Sequence, residues 1–570
     1  MVRQTPPDVC CGLAEEGVLW TVPKDIVSKL VLGPLLRYTA ETDATVWVET
    51  DGACEVEVLG CSSLTFRVGG HHYAMVHVTG LEDACEYEVR LDGEKVWPEP
   101  GSLFPPSVIR PMKSGETLKL AFGSCRISAP HEPPYTLNHD EDERGLGVDA
   151  LYAAAMDLKD KPPEELPHAL VLLGDQIYSH KPPFDTLRFI KERRDTANPP
   201  GEAVADFEEY ARIYRDAWSD PAIRWLLSTV PSAMIFDDHE IGDDWNISEA
   251  WVEEMRQHPA WDRQIIGGYA SYWIYQHLGN LSPEELFRDD LYIRVKDSED
   301  AWPVLREFAY NAHRGPDGIR WSYHRDLGNT RLLMIDSRGG RVLDGNHRSI
   351  VDAEEWAWVS ERATGGFDHL LIGTSLPLLL GPAMHHLQSW NESLCSGAWG
   401  GHTARRAESL RRSHDLDHWA SFHDSFSAMV GLIGDVVNGE RGDPPSTVLI
   451  LSGDVHHGYL AEATLENHTE SQIYQAVCSP FRNALPGKKS ILQDNAWTGL
   501  ATFAARFLAR LAGAPEEPLT WRMTHDAVFF ENQIATLELE GRSATITFDK
   551  SVLDASKDPA LEKLYRHRLA

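Results

Sequence analysis

Cysteine is scarce in this chain, eight residues in 570, and the few are scattered. So sparse a set excludes a disulfide framework and fits a reducing compartment. Long apolar runs are missing too. The most apolar stretch, residues 369–384, is broken by Gly373, Thr374, Ser375 and Pro377. It reads as a core strand with its exit loop and not as a membrane span. The opening MVRQTPPDVCCGLAEEG carries neither an apolar run of signal-peptide length nor a twin arginine, so a cytoplasmic protein is expected. There are no repeats at solenoid spacing and no low-complexity tract. Positive charge is in deficit: 53 lysines and arginines face 87 aspartates and glutamates, a net charge of −34. That excess repels nucleic acid and anionic lipid at long range and speaks against either as a bulk partner. A small anionic substrate stays possible where a buried metal supplies a local positive field. Apolar residues at 42% are enough for a sizeable core and exclude wholesale disorder.

Three zones differ in pattern. Residues 1–30 form an extension without a clear period, and its Cys10-Cys11 pair has no third ligand nearby. Residues 31–112 alternate apolar and polar positions in short runs, such as Ala44 to Val48, Tyr73 to Val78 and Tyr87 to Leu91. Asp51-Gly52, Gly69-Gly70 and Asp92-Gly93 punctuate these runs. Period-two runs at this spacing predict a small antiparallel β-sandwich of fibronectin or immunoglobulin type. His71 and His72 fall at one of its turns and read as a solvated hairpin tip, or less readily as a metal pair. Residues 113–570 alternate buried strands with amphipathic helices, which predicts an α/β layered core. Strands are expected at 118–122, 169–173, 233–236, 331–335, 370–373 and 447–451. Helices are expected at 204–218 and 221–228, the second capped by Asp220 ahead of Pro221. Residues 534–539 and 544–548 read as a closing hairpin, and the tail after Asp549 as an exposed helix.

Polar residues able to bind metals gather just after the strands, where open α/β sheets place their ligand sites. Gly123-Ser124-Cys125-Arg126 offers a thiol that is either a soft ligand or a buried structural cysteine. Gly174-Asp175-Gln176-Ile177-Tyr178 offers a carboxylate and a phenol, a hard anionic pair suited to a trivalent ion. Asp175 as a helix cap is the plainer alternative. Asp237-Asp238-His239-Glu240, followed by Asp243-Asp244-Trp245, packs five carboxylates and an imidazole behind one strand. Like charges this dense are costly without a cation, unless the loop is simply solvated. Gly453-Asp454-Val455-His456-His457-Gly458 brings a carboxylate and two imidazoles, against the alternative of a surface histidine pair. Together they offer more donors than one ion needs. A binuclear site with Asp175 as bridge is the economical solution.

These four segments, in this order and with Met334-Ile335-Asp336-Ser337-Arg338, resemble the PhoD-like alkaline phosphatases of the metallophosphoesterase superfamily. The resemblance implies a layered β-sandwich core flanked by helices in the large zone, behind a small all-β sandwich. It implies an iron(III) site at Cys125, Asp175, Tyr178 and His456. It implies a neighbouring divalent site at Asp175, Asp238 and Asp454, with calcium the usual ion and manganese, zinc or magnesium the alternatives. His239 matches the position that contacts the reacting phosphate, and Arg338 is a further phosphate contact. His457 and Asp237 are expected to orient ligands. Asp238 stands where the wider superfamily has asparagine, and the missing twin-arginine leader departs from the secreted members.

The activity implied is metal-dependent hydrolysis of a small phosphoester, with a metal-activated hydroxide attacking phosphorus in line. A phosphodiesterase or phospholipase-D-like activity is the near neighbour on the same machinery. A non-catalytic binding protein that keeps the fold, and a thiol enzyme built on Cys125, are the readings from other classes.

Overall fold

The computed structural model describes residues 28–315, 319–344, 347–465, 471–484 and 495–570. Cys10 and Cys11 lie outside them. Two large sheets make the core of the α/β part. In the six-stranded sheet, Ser232–Ile235, Ala169–Leu173 and Leu118–Gly123 run parallel. Gln533–Glu540, Ser543–Leu553 and Pro559–Arg568 continue it antiparallel. The seven-stranded sheet places Thr330–Met334, His369–Gly373, Thr447–Ser452 and Gln472–Val477 side by side in parallel. Its antiparallel edges are Tyr323–Leu327 on one side, then Tyr459–Leu465 and Leu519–Met523 on the other.

Alternation along the strands explains the layers. Leu332 and Met334 point inward and join Leu120, Leu172 and Leu451 in the core between the sheets. Leu333, Ile335, Leu370 and Ile372 point outward, where Val359, Phe426 and Val430 cover them from the helices Ala353–Arg362 and His423–Val437. Covered on both faces, the central strands are unbroken apolar runs. The six expected core strands form to within a residue at each end, and the closing hairpin forms too, its second strand running on to Leu553. Asp220 caps the helix Pro221–Thr229 through the N–H groups of Ala222 and Ile223, at 2.9 and 3.3 Å.

The tail is a correction. Pro559–Arg568 is a strand, paired along its length with Ser543–Leu553. The pairing skips Leu564 beside Phe548 and Asp549, so Leu561 and Leu564 both reach the core despite a helix-like spacing of three.

The N-terminal all-β region stacks two four-stranded sheets. One orders Leu30–Thr39, Asp43–Thr50, His71–Thr79 and Phe66–Val68. The other orders Cys61–Leu64, Glu55–Val58, Val89–Leu91 and Glu94–Trp97. Val46, Val56, Val76 and Val89 pack between them. His71 is no solvated tip. Its Nδ1 meets Glu49 and its Nε2 meets Glu208 of the helix Phe207–Trp218, both at 2.9 Å. Tyr275 donates to the other Glu49 oxygen at 3.0 Å. Arg37 drives deeper and donates to the carbonyls of Tyr275 and Gln276. These contacts tie the β region to the α/β part through desolvated charge.

The aromatic segment Tyr269 to Tyr275 lies in the helix Trp261–Tyr275 and is part of the core. Tyr272 stacks on Phe236 at 3.9 Å and Tyr269 on Trp321 at 5.5 Å.

Candidate metal centre

Four loops leave the C-terminal ends of parallel strands and meet between the two sheets. The backbone sets how closely they approach. Cys125 N–H donates to Gly174 O at 3.3 Å, and Arg126 N–H to Asp175 O at 3.0 Å. Gly174 has φ +101°, and a Cβ there would stand 2.6 Å from that of Asp237, so no other residue fits that crossing. Glu240 then fastens the second and third loops together. Its buried carboxylate accepts N–H groups from Asp175, Gln176 and Asp237 at 3.0, 2.7 and 2.9 Å, and the Gln276 side chain at 3.1 Å. Even so, burial pushes the Glu240 carboxyl up to about 7.

The side chains converge in overlapping groups. Donor atoms of Cys125, Asp175 and His456 lie within 4.8 Å of one another, and the same holds for Asp175, Asp238 and His239, and for Asp237, Asp238 and Asp454. Tyr178 Oη is 3.4 Å from Asp175 Oδ2, and Cys125 Sγ is 3.3 Å from the same oxygen. Asp175 thus belongs to two groups, and Asp238 links it to Asp454. Cys125, Asp175, Asp454 and His456 all have positive φ, between 53° and 65°. For residues with a Cβ this conformation costs on the order of 1–3 kcal/mol each and persists only where the surroundings impose it. Asp175 is no helix cap, and the nearest following helix begins at Phe184.

Electrostatics mark the cluster as short of positive charge. Burial, then the charges of Asp237 and Asp238, raises the Asp175 carboxyl well above the carboxylate range. Burial does the same to Asp237 against the pull of Arg338, and lifts Asp238 to about 6. The Cys125 thiol and the Tyr178 phenol are raised by burial and by Asp175. Asp454 goes the other way: burial raises it, but the hydrogen bond from His418 and the charges of His418 and Arg338 outweigh that. Asp175 Oδ1, Asp237 Oδ2 and His239 Nδ1 are buried without a hydrogen-bond partner among the described residues. Soft, hard and imidazole donors with orphaned oxygens fit metal cations, which would let the carboxyls, thiol and phenol ionise.

Arg338, expected at the phosphate, is 3% exposed. Its guanidinium pairs with Asp237 and Asp417, and lies 3.4 Å from both Asp238 and Asp454. His457 is buried, donates from Nδ1 to Val455 O at 2.7 Å, and stacks on Tyr459.

The structure adds residues that the motifs did not. His418 Nε2 lies 2.9 Å from Asp454 Oδ2, with Gln388 holding its Nδ1 side. Asp417 links Arg338 to Arg341. Asn483 donates to Tyr178 Oη at 2.9 Å and lies 3.3 Å from His456 Nε2. His180 stacks on His239, and both face Asp243. The Asp415-Leu416-Asp417-His418 run was the available signal, but it follows a helix, whereas the motif reading sought strand ends. A cavity of about 1180 Å³ lies away from this cluster, lined by Tyr38, Phe287, Arg320 and Trp358 among others. Several of its acids already have partners, Asp326 with Arg331 and Asp43 with His77.

Comparison with known proteins agrees with the motif reading. Residues 150–288 match the family model of the PhoD-like phosphatases, a span that includes Asp175, Tyr178, Asp238 and His239. Residues 27–109 match a domain of unknown function, DUF7800. Among solved structures, one titled "Structure of PhoD" superposes with a TM-score of 0.56 at 12% identity, covering 96% of this chain and 94% of that one. The likeness is one of fold. No curated protein matches the chain.

Proposed function

We propose that the chain is a metal-dependent phosphoric ester hydrolase. The observation that carries this is the convergence of Cys125, Asp175, Asp238, Asp454 and His456 from separate strand ends into one buried, anion-rich cluster with orphaned oxygens. Cys125, Asp175, Tyr178 and His456 suit an iron(III) ion, and Asp175, Asp238 and Asp454 a divalent one such as calcium. Bound cations would supply a Lewis-acid field that neutralises phosphoryl oxygens and lowers the pKa of water.

The residues of the chain have their own work. Burial holds His239 down to about 4, so its imidazole is neutral when substrate arrives. A phosphate dianion beside it would raise that value. The neutral ring donates its N–H to a phosphoryl oxygen, or, once it has taken up a proton from solvent beside the dianion, passes that proton to the leaving oxygen. Arg338 orients Asp237, Asp238 and Asp454 instead of gripping phosphate. His418 fixes Asp454, and Asn483 orients Tyr178 and His456. Residues 31–112 form a separate β module in this reading, joined to 113–570 by the His71 and Arg37 contacts.

The thiol-enzyme reading is disfavoured because Cys125 is fully buried and its thiol is raised, the reverse of an activated nucleophile. All six described cysteines are free thiols. Elemental analysis of the purified protein, run beside turnover of a generic monoester and a generic diester, tests the proposal. Metal-dependent hydrolysis of either supports it, and the ratio of the two rates decides between phosphatase and diesterase.

A further inference from the structure

The helix Gly499–Leu511 is turned inside out. Its small residues Ala505 and Ala509 are buried, packed towards the helix Pro382–Cys395. Its large ones face water: Leu500 is 83% exposed, Phe503 72%, Phe507 55% and Leu511 56%. At about 100° per residue these four fall on one stripe. Trp399, also exposed, extends the stripe by donating to Leu511 O at 3.3 Å. A stripe of this size on a lone chain marks an interaction surface.

The charge around it identifies the partner. The helix holds two arginines, Arg506 and Arg510, and no acid. The neighbouring helix Gly401–Ser413, which meets it where Leu394, Ala407 and Ala512 pack together, holds four arginines and one glutamate. Arg411 and Arg412 pair with Glu392 and Glu254, and Arg510 with Glu516. Arg405, Arg406 and Arg506 are exposed and have no carboxylate partner among the described residues. In a chain of net charge −34, this is a local reversal of sign beside a bare apolar stripe.

We propose that this face docks on the surface of an anionic phospholipid bilayer, with Leu500, Phe503, Phe507 and Leu511 at the acyl boundary and Arg405, Arg406 and Arg506 among the headgroups. The long-range repulsion of the whole chain remains, but it is screened within about 8 Å at physiological salt, so a short-range patch can act against it. No helix among the described residues is long and apolar enough to cross a membrane, so docking would be peripheral. The helix that carries the stripe packs on Pro382–Cys395, which also carries Gln388, the residue that holds His418 against Asp454. The proposal does not depend on what the cluster hydrolyses.

Co-sedimentation of the full chain with vesicles is the test. Vesicles of phosphatidylcholine with phosphatidylglycerol as minor component should bind it, and pure phosphatidylcholine should bind it much less. F503S/F507S and R405Q/R406Q should each lower the bound fraction by about tenfold or more, with circular dichroism and unfolding midpoint unchanged because these side chains are exposed. No binding to either vesicle, or equal binding by the variants, would overturn the proposal. So would a concentration-dependent dimer, seen by light scattering and abolished by F503S/F507S, since a second copy would then cover the stripe.

Discussion

The backbone N–H of Asp175 donates to the Glu240 carboxylate at 3.0 Å, and the N–H of Asp237 donates to the same carboxylate. Glu240 touches no proposed metal donor atom, yet it holds two ligand loops at a fixed separation. Glu240→Gln turns an amide N–H₂ towards groups that are themselves donors. We expect a loss of about 1–3 kcal/mol in stability and a matching fall in bound metal. Unfolding midpoint and metal content together check this. A variant with full metal and unchanged midpoint would remove Glu240 from the account.

Arg338 separates two roles that the motif alone did not. As a substrate contact, its loss would raise KM and leave stability near normal. As the counter-ion of Asp237 and Asp417, its loss leaves buried carboxylates unpaired. We expect Arg338→Met to cost about 3–5 kcal/mol in stability. Chemical denaturation set beside kcat and KM reads both outcomes.

His239→Ala should retain its metal and lose about 10²–10⁴-fold in turnover, the usual contribution of a positioned proton donor. Loss of all metal in this variant would instead make His239 a ligand, for which its place near Asp175 and Asp238 leaves room.

The clasp between the β region and the α/β part should weaken in alkali. Burial alone would lower His71, but the hydrogen bonds and charges of Glu208 and Glu49 overcome it and raise the imidazole from 6.5 to about 9. A raised folded pKa gives stability that is full below about 6.5 and lost as pH climbs through about 9. With Glu208 partly exposed, the contribution is on the order of 1–3 kcal/mol. The difference in unfolding free energy between wild type and His71→Gln should therefore shrink from pH 6 to pH 10. A difference that stays constant across that range would show that the ion pairs add nothing.

How much of this was legible in the sequence follows from what periodicity carries. The central strands, such as 169–173 and 447–451, were readable because both faces are covered and the runs are unbroken. Asp175, Asp238, Asp454 and His456 were readable because they sit directly behind such runs. The last strand was misread because a bulge beside Asp549 mimics helical spacing. Glu240 was seen only as one more acid in a dense loop, since two of its three N–H donors, Asp175 and Gln176, come from elsewhere in the chain. His418 and Asn483 reach the cluster through tertiary packing; the acidic run 415–418 hints at the first from behind a helix, and no local pattern announces the second.

The central claim is a shared bridge at Asp175, and metal content by mass spectrometry tests it most directly. Wild-type protein should carry a pair of ions per chain, and Asp175→Asn should lose both together with hydrolysis. A metal-free wild type that still hydrolyses phosphoesters in the presence of chelator, or an Asp175→Asn variant with its metals intact, would contradict it.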